Sequence, residues 1–163
     1  MCLGDFKEQD LANTAWAFAT ASQSDAQLFA ALARAAELRL GDFNVQDLAN
    51  TAWAFATASQ LDAQLFAALA RAAELRLGDF KVQDLANTAW ALATSVRLEA
   101  KLFTTLARAA KQCMVDFDAQ DLANTAWAFA KAGQLHTPLF AVLARMSERR
   151  LGDFIVKNLS ITA

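Results

Sequence analysis

The stretch Asp10–Thr20 reads DLANTAWAFAT and returns unchanged at 47–57. At 84–94 and 121–131 it returns with one substitution each, Leu92 and Lys131. The leucine after each opening aspartate recurs every 37 residues, and a degenerate fifth copy keeps the interval; these leucines are Leu11, Leu48, Leu85, Leu122 and Leu159. A fixed period of this length is typical of proteins built from stacked structural repeats.

Each repeat carries the signals of two helices. Asn44 and Asp47 are spaced like an N-cap and its third helical residue, a capping box, and the apolar residues that follow have helical spacing. We therefore predict a first helix, helix A, over about 44–59. Gly41 precedes it and is predicted to end the previous helix as a C′ glycine.

The second helix of the repeat, helix B, is predicted to start near Asp62 or Ala63. The fourth repeat carries the clearest start signal, because Thr137 suits an N-cap and Pro138 suits the first helical position. The third repeat has Val115 at the turn glycine's place, so we expect its turn to be remodelled. No segment alternates with period two between turn signals, so no strand is predicted.

The fold class is therefore all-α, a right-handed α-solenoid of stacked two-helix repeats like an armadillo or HEAT superhelix. Residues 1–163 are expected to form one array, with repeats at about 11–47, 48–84, 85–121 and 122–158 and partial units at both ends. The last residues, from Leu159, are expected to begin a further helix. We expect the chain to be part of a longer array, and copies of it to stack end to end.

Composition narrows the function classes. The 163 residues carry a net charge of −2, which counts against a strongly basic, non-specific nucleic-acid binder. Cys2 and Cys113 have no metal-ligand spacing, and His136 is the single histidine. We therefore predict no enzyme, no cofactor and no metal site. No apolar run reaches the roughly 20 residues of a spanning helix, so no membrane partner is predicted, and no transit peptide is recognised.

Asparagines recur in the middle of helix A. On a helical wheel Asn50 lies opposite the Leu48/Ala52 stripe, beside Asp47, Ala54 and Thr57. An amide both donates and accepts, so this ladder suits reading a base edge or holding an extended backbone. The alternative is an amide bonded to backbone or to the adjacent repeat. The candidate contacts are Asn13, Asn50, Asn87 and Asn124, with Thr20, Thr57, Thr94 and Lys131 beside them.

Two further sets of polar residues are weaker candidates. The start of helix A varies most between repeats, which would tune ligand preference, although a solvated helix end is the favoured explanation. Arginines on helix B could contact phosphates, although pairing with glutamates one turn away is favoured. The first set is Lys7, Asn44, Lys81 and Asp118; the second is Arg34, Arg71, Arg108 and Arg145.

One tryptophan also recurs in each helix A. Exposed tryptophans could stack on bases. At a position beside an apolar stripe, a large aromatic is more often buried between repeats, and we predict that these side chains are core. They are Trp16, Trp53, Trp90 and Trp127.

The motif LANTAWAFA, followed by a short turn and a helix opened at Pro138-Leu139-Phe140, resembles the octotricopeptide repeat. The 37-residue period is similar to that of heptatricopeptide repeats. Both resemble the leucine-rich region of FAST-kinase-like proteins and the helical-repeat subunits of RNA-editing substrate-binding complexes. The resemblance implies a mitochondrial or chloroplast protein in RNA processing, stability or translation. It also implies non-catalytic binding of single-stranded RNA along helix A, on the concave surface.

The rival hypothesis is a protein-interaction scaffold that holds an extended peptide on its concave face. Armadillo-like solenoids use asparagine ladders in this way, and the acidic chain suits a peptide better than RNA. A positive concave surface favours RNA, whereas a neutral or negative one favours protein. An enzyme is the third hypothesis, and no carboxylate, His or Cys constellation with catalytic spacing supports it. No small-molecule substrate is predicted.

Overall fold

The computed structural model describes residues 6–95, 100–113, 116–131, 133 and 136–161. All regular elements in these residues are helical, which confirms the predicted all-α repeat fold. The first helices of the four repeats are α1 (Glu8–Thr20), α3 (Val45–Thr57), α5 (Val82–Thr94) and α7 (Ala119–Lys131). The second helices are α2 (Ala26–Glu37), α4 (Ala63–Arg76), α6 (Ala100–Cys113) and α8 (Thr137–Ile161). We call them A helices and B helices.

The A helices begin at the predicted capping residue. The Asn44 side chain accepts a hydrogen bond from the Asp47 backbone N–H at 2.9 Å, and Asp47 accepts from the Asn44 N–H at 3.3 Å. Asp118 and Asp121 form the same reciprocal pair. A lysine side chain cannot accept, so the other two repeats keep only the aspartate half of the box, at Lys7–Asp10 and Lys81–Asp84.

The turns after α1, α3 and α7 each contain one residue of positive φ, whereas Ser95, directly after α5, is extended. Ser22 and Ser59 both have φ of 56°, and Gly133 has φ of 64°. The Gln60 N–H donates to the Phe55 carbonyl, which gives the bond pattern of a Schellman cap. Gly41 was predicted to be the C′ glycine that ends helix B of the first repeat, but α2 ends at Glu37 with Leu38 as its C-cap, and Gly41 has no positive φ, so that prediction is wrong. Val115 lies outside the described residues.

The B helices begin at an aspartate in the first two repeats. The Asp62 side chain accepts from the Leu65 N–H at 3.0 Å, and Asp25 does the same for Leu28 at 2.9 Å. In the fourth repeat the N-cap is His136, whose Nδ1 accepts from the Leu139 N–H at 3.2 Å. The start predicted for that helix was one residue too late, since Thr137 is already helical.

The helices form two layers. Each A helix packs against the A helix of the next repeat along the whole series, and each B helix packs on the A helix of its own repeat. Leucines and phenylalanines fill the space between the layers, and Phe29 meets Phe55 edge to face at 5.0 Å between ring centres. Alanines line the contacts between A helices, and short side chains let those helices approach closely.

An arginine near the end of a B helix ties its repeat to the turn of the previous one. Arg76 donates through Nη1 to the Phe43 carbonyl and through Nη2 to the Leu40 carbonyl at 3.0 Å. Arg39 contacts the Phe6 carbonyl in the same way, and Arg150 contacts that of Phe117 at 2.7 Å. The equivalent position in the third repeat is Cys113.

The last B helix differs from the others. α2 and α4 end after 12 and 14 residues, and a short 3₁₀ turn at Leu77–Asp79 follows α4. α8 instead continues for 25 residues, through Gly152 and Leu159. The degenerate fifth copy is therefore the end of α8 and does not begin a separate helix. Across the described residues, no helix combines the length and apolar character needed to cross a bilayer.

Candidate ligand-binding surface of the A helices

An inner A helix leaves one narrow strip of side chains accessible. α3 is flanked by α1 and α5 and covered by α4, so eight of its thirteen residues are buried. Gln46, Asn50, Trp53 and Thr57 stay exposed or half-buried. Their spacing of four, three and four residues places them on one side of the helix. We call the equivalent residues of all four repeats the ridge: Gln9, Asn13, Trp16, Thr20; Gln46, Asn50, Trp53, Thr57; Gln83, Asn87, Trp90, Thr94; and Gln120, Asn124, Trp127, Lys131.

The helical wheel placed some neighbours of Asn50 wrongly. It put Asp47 and Ala54 on the same open face, but both are buried in α3. The reason is that an A helix lies between two other A helices, so the buried arc covers both flanks and not only the leucine stripe. Asn50 and Thr57 remain accessible, as the wheel indicated.

The tryptophans are part of the ridge. Trp16 is 47% exposed and Trp127 is 44% exposed, so the prediction that they are core is wrong for these two. Trp53 and Trp90 are half-buried and lean on the core. Indoles of neighbouring repeats meet: Trp90 and Trp127 stack with ring centres 6.0 Å apart, and Trp16 and Trp53 are tilted at 6.4 Å.

The polar ridge residues surround these indoles. Asn13 is exposed and the other three asparagines are half-buried. Within the described residues no hydrogen bond joins these amides to the backbone or to an adjacent repeat. Thr94 donates to the Trp90 carbonyl at 3.0 Å. The Lys131 ammonium lies 4.6 Å from the centre of the Trp127 ring, a cation–π contact.

The other two candidate sets lie away from the middle of the ridge. The variable residues at the helix A start are all exposed, and two of them, Asn44 and Asp118, cap their helices. The candidate arginines are exposed on the B helices, in the other layer, so the structure does not bring them together with the asparagines. They are Arg34, Arg71, Arg108 and Arg145.

The ridge itself is almost uncharged. Lys131 is its single charged residue. The aspartates in the first turns of the A helices are not part of the ridge. Burial raises the pKa of three of them, Asp47, Asp84 and Asp121. The nearby Glu8 carboxylate raises the pKa of Asp47 further, whereas the Asn44 N–H lowers it. A neutral surface favours a peptide ligand over RNA. Any affinity of the ridge for RNA therefore has to come mainly from base stacking and amide hydrogen bonds.

Sequence reasoning missed two sets of residues. The glutamines Gln9, Gln46, Gln83 and Gln120 extend the ridge by one turn, and the arginines Arg39, Arg76 and Arg150 join the repeats. Both sets recur at the 37-residue period. The period was therefore a signal that could have found both sets. It could not have distinguished the exposed glutamines from the arginines that bond to the preceding turn, which we call the arginine clamp.

The helices and the ridge define a class of protein, an α-solenoid with a repeated polar and aromatic strip along one layer. The chain belongs to the RNA-editing substrate-binding complex 6 protein family, whose model matches residues 5–163. This match agrees with the RNA-editing part of the resemblance drawn from LANTAWAFA. Comparison with curated proteins gives no match.

Proposed function

We propose that the ridge binds single-stranded RNA without catalysis. The observation that carries the proposal is the tryptophan ladder: large indoles stay accessible at Trp16 and Trp127 and meet their neighbours at 6.0–6.4 Å. Stacking of a base on an aromatic side chain contributes about 1–3 kcal/mol and tolerates any base. Single-stranded RNA is usually recognised in this way, with polar groups contacting the base edges.

The asparagines are proposed to contact those edges. Their amides offer both donors and acceptors next to each indole, and Lys131 adds a positive charge in the fourth repeat. The family name supports RNA as the ligand, and we infer that the chain acts within a complex that binds RNA-editing substrates. Following the resemblance, we place it in the mitochondrion, in RNA processing. The octotricopeptide-like mode of reading one base per repeat belongs to the same proposal.

The proposal predicts a base preference. The four ridge residues are identical in the first three repeats, and the fourth differs only at Lys131. If each repeat contacts one base, neighbouring repeats must prefer the same base. A short homopolymer of one nucleotide should therefore bind better than a scrambled RNA of equal length. Each phosphate contact adds about −0.7 to the slope of log affinity against log salt, so one lysine predicts a shallow slope of about −0.7.

The experiment measures RNA binding by fluorescence anisotropy at two salt concentrations. Trp16→Ala with Trp127→Ala removes two exposed indoles, and we expect affinity to fall at least about tenfold, a change of ~1.4 kcal/mol. The matched control is Leu38→Ala with Leu75→Ala, two exposed apolar residues of the other layer. The control should bind like the parent protein.

A second variant separates RNA from the rival ligand. Replacing the four ridge asparagines by alanine should weaken RNA binding and leave the helical content unchanged. If the parent binds an extended peptide and not RNA, and this variant loses the peptide, the scaffold hypothesis is correct. The neutral ridge is the observation that favours that second function. Unchanged RNA binding in both variants would place the RNA site elsewhere.

A further inference from the structure

The four ridge tryptophans form two separate pairs. Trp16 meets Trp53 at 6.4 Å between ring centres, and Trp90 meets Trp127 at 6.0 Å. Among the residues that the structure describes, no ring contact joins Trp53 to Trp90, although α3 and α5 pack against each other as the other neighbouring A helices do. Trp53 therefore turns towards α1 and Trp90 towards α7, which leaves an opening between their indoles at the α3–α5 junction. We call this opening the central slot.

The α3–α5 junction also differs from its neighbours in sequence. Leu92 stands where the other A helices carry a phenylalanine, such as Phe55. Phe55 contacts Phe29 of the preceding repeat, so Leu92 is a smaller residue at the side of α5 that faces the second repeat. Ser95, the C-cap of α5, is extended, whereas Ala58, the C-cap of α3, is helical. The ridge residues of the two repeats are identical, so the difference lies in the packing beneath the indoles.

The surroundings of the central slot suit a planar ligand with polar edges. Trp53 and Trp90 are half-buried and pack against the core, which holds both indoles in place. Asn50 and Asn87, one turn before each indole, are half-buried, and their amides make no described hydrogen bond to the protein. The Thr94 hydroxyl is already occupied, since it donates to the Trp90 carbonyl at 3.0 Å. An aromatic ring on each side, with amide donors and acceptors beside it, matches a nucleobase.

We propose that one nucleobase of a bound RNA inserts between Trp53 and Trp90 and fills the central slot. This inference rests on the proposed function of the ridge and names the position at which the RNA is anchored. A base in the slot stacks on two indoles, whereas a base at either tryptophan pair can stack only on the outside of the pair. Asn50 and Asn87 contact the edges of the inserted base. The ridge is otherwise repetitive, so the insertion also sets the register of the RNA.

A double-mutant cycle on RNA affinity tests the insertion. Trp53→Leu and Trp90→Leu each remove one wall of the slot and keep an apolar side chain against the core. Each should weaken binding of a short homopolymeric RNA at least about fivefold, the lower end for a base–aromatic stack. A base with one wall left gains no more than a base stacked on the outside of a pair. The double variant should therefore bind at least about threefold better than the product of the two single losses predicts.

The control pair is Trp16→Leu and Trp127→Leu. These tryptophans lie three repeats apart and cannot share one base, so their single losses should multiply in the double variant. Trp53 and Trp90 make no ring contact in the described structure, so their coupling has to pass through the RNA. Urea denaturation without RNA should show additive effects of Trp53→Leu and Trp90→Leu on stability. Coupling of the same size in the free protein overturns the proposal.

Photocrosslinking of the parent chain adds a readout that needs no substitution. RNA that carries bromouridine should crosslink mainly to Trp53 or Trp90, as mapped by mass spectrometry. Crosslinks only to Trp16 and Trp127, or single losses of Trp53 and Trp90 that multiply, overturn the slot and leave RNA binding by the ridge intact. A parent chain without affinity for RNA overturns both proposals. Coupling of the two indoles with an aromatic peptide in place of RNA also overturns the nucleobase as the occupant.

Discussion

Replacing Arg76 by alanine should destabilise the protein by about 2–4 kcal/mol. Its guanidinium donates to two backbone carbonyls of the preceding turn, those of Phe43 and Leu40. A hydrogen bond that involves a charged group contributes about 1.5–3 kcal/mol, and partial exposure of Arg76 lowers that value. Two such bonds would give about 3–6 kcal/mol, and the partial exposure of Arg76 lowers this sum to the stated range. The 3.5 Å contact with the Ala72 carbonyl is too long to add much.

The assay is urea denaturation followed by circular dichroism. The control is Arg71→Ala, which removes the same side chain type from the exposed side of the same helix and should change stability by no more than about 0.5 kcal/mol. The reverse change is Cys113→Arg, which places an arginine at the equivalent position of the third repeat and should raise stability. Equal effects of Arg76→Ala and Arg71→Ala would refute the idea that the bonds from Arg76 to the preceding turn stabilise the packing of one repeat on the next.

Two further substitutions probe the helix ends. Ser59→Gly should raise stability by up to about 1 kcal/mol. A φ of 56° costs an L-residue about 1–2 kcal/mol; glycine removes this cost, but part of the gain is lost because glycine makes the unfolded chain more flexible. A decrease of stability in urea denaturation would contradict this. Asp84→Asn should stabilise the protein at neutral pH while keeping an oxygen to accept from the Lys81 N–H. Burial raises the folded-state pKa of Asp84, so its contribution is favourable below the unfolded pKa and is lost as the pH rises through the folded pKa. Thermal melts should therefore show the advantage of the variant shrinking as the pH falls from 7 to below the ordinary aspartate range; an advantage that grows on acidification would contradict this origin.

Local signals predicted the helix starts well. Asn44 with Asp47 and the start at Asp62 or Ala63 depend on side chains within three residues of each other, so their geometry follows from sequence spacing. The helix ends were harder. Gly41 was predicted to end α2, which already ends at Glu37. No glycine marks the end of α3, where Ser59 adopts the left-handed conformation because the backbone bonds of the Schellman cap outweigh the cost for serine.

The surface could be predicted only in part. The position of Asn50 followed from the period and the helical wheel. The exposure of Trp127 did not, because a wheel describes one helix and cannot show that two other A helices cover both flanks. The clamp at Arg76 joins residues 33 and 36 positions apart, and no local pattern predicts which arginine of a repeat makes it.

The sameness of the A-helix flanks has a consequence for how the chain reaches its fold. The side of α1 that receives α3 can also receive α5, since Thr88 and Ala91 of α5 repeat Thr51 and Ala54 of α3, and only Leu92 and Ser95 differ from their counterparts. Such a pairing would loop out one whole repeat and still bury the same kind of alanine contact. The order of the helices is then set by the short connections and not by the contacts themselves. Refolding should therefore pass through slow, misregistered species, as is typical of proteins in which identical modules compete for one partner.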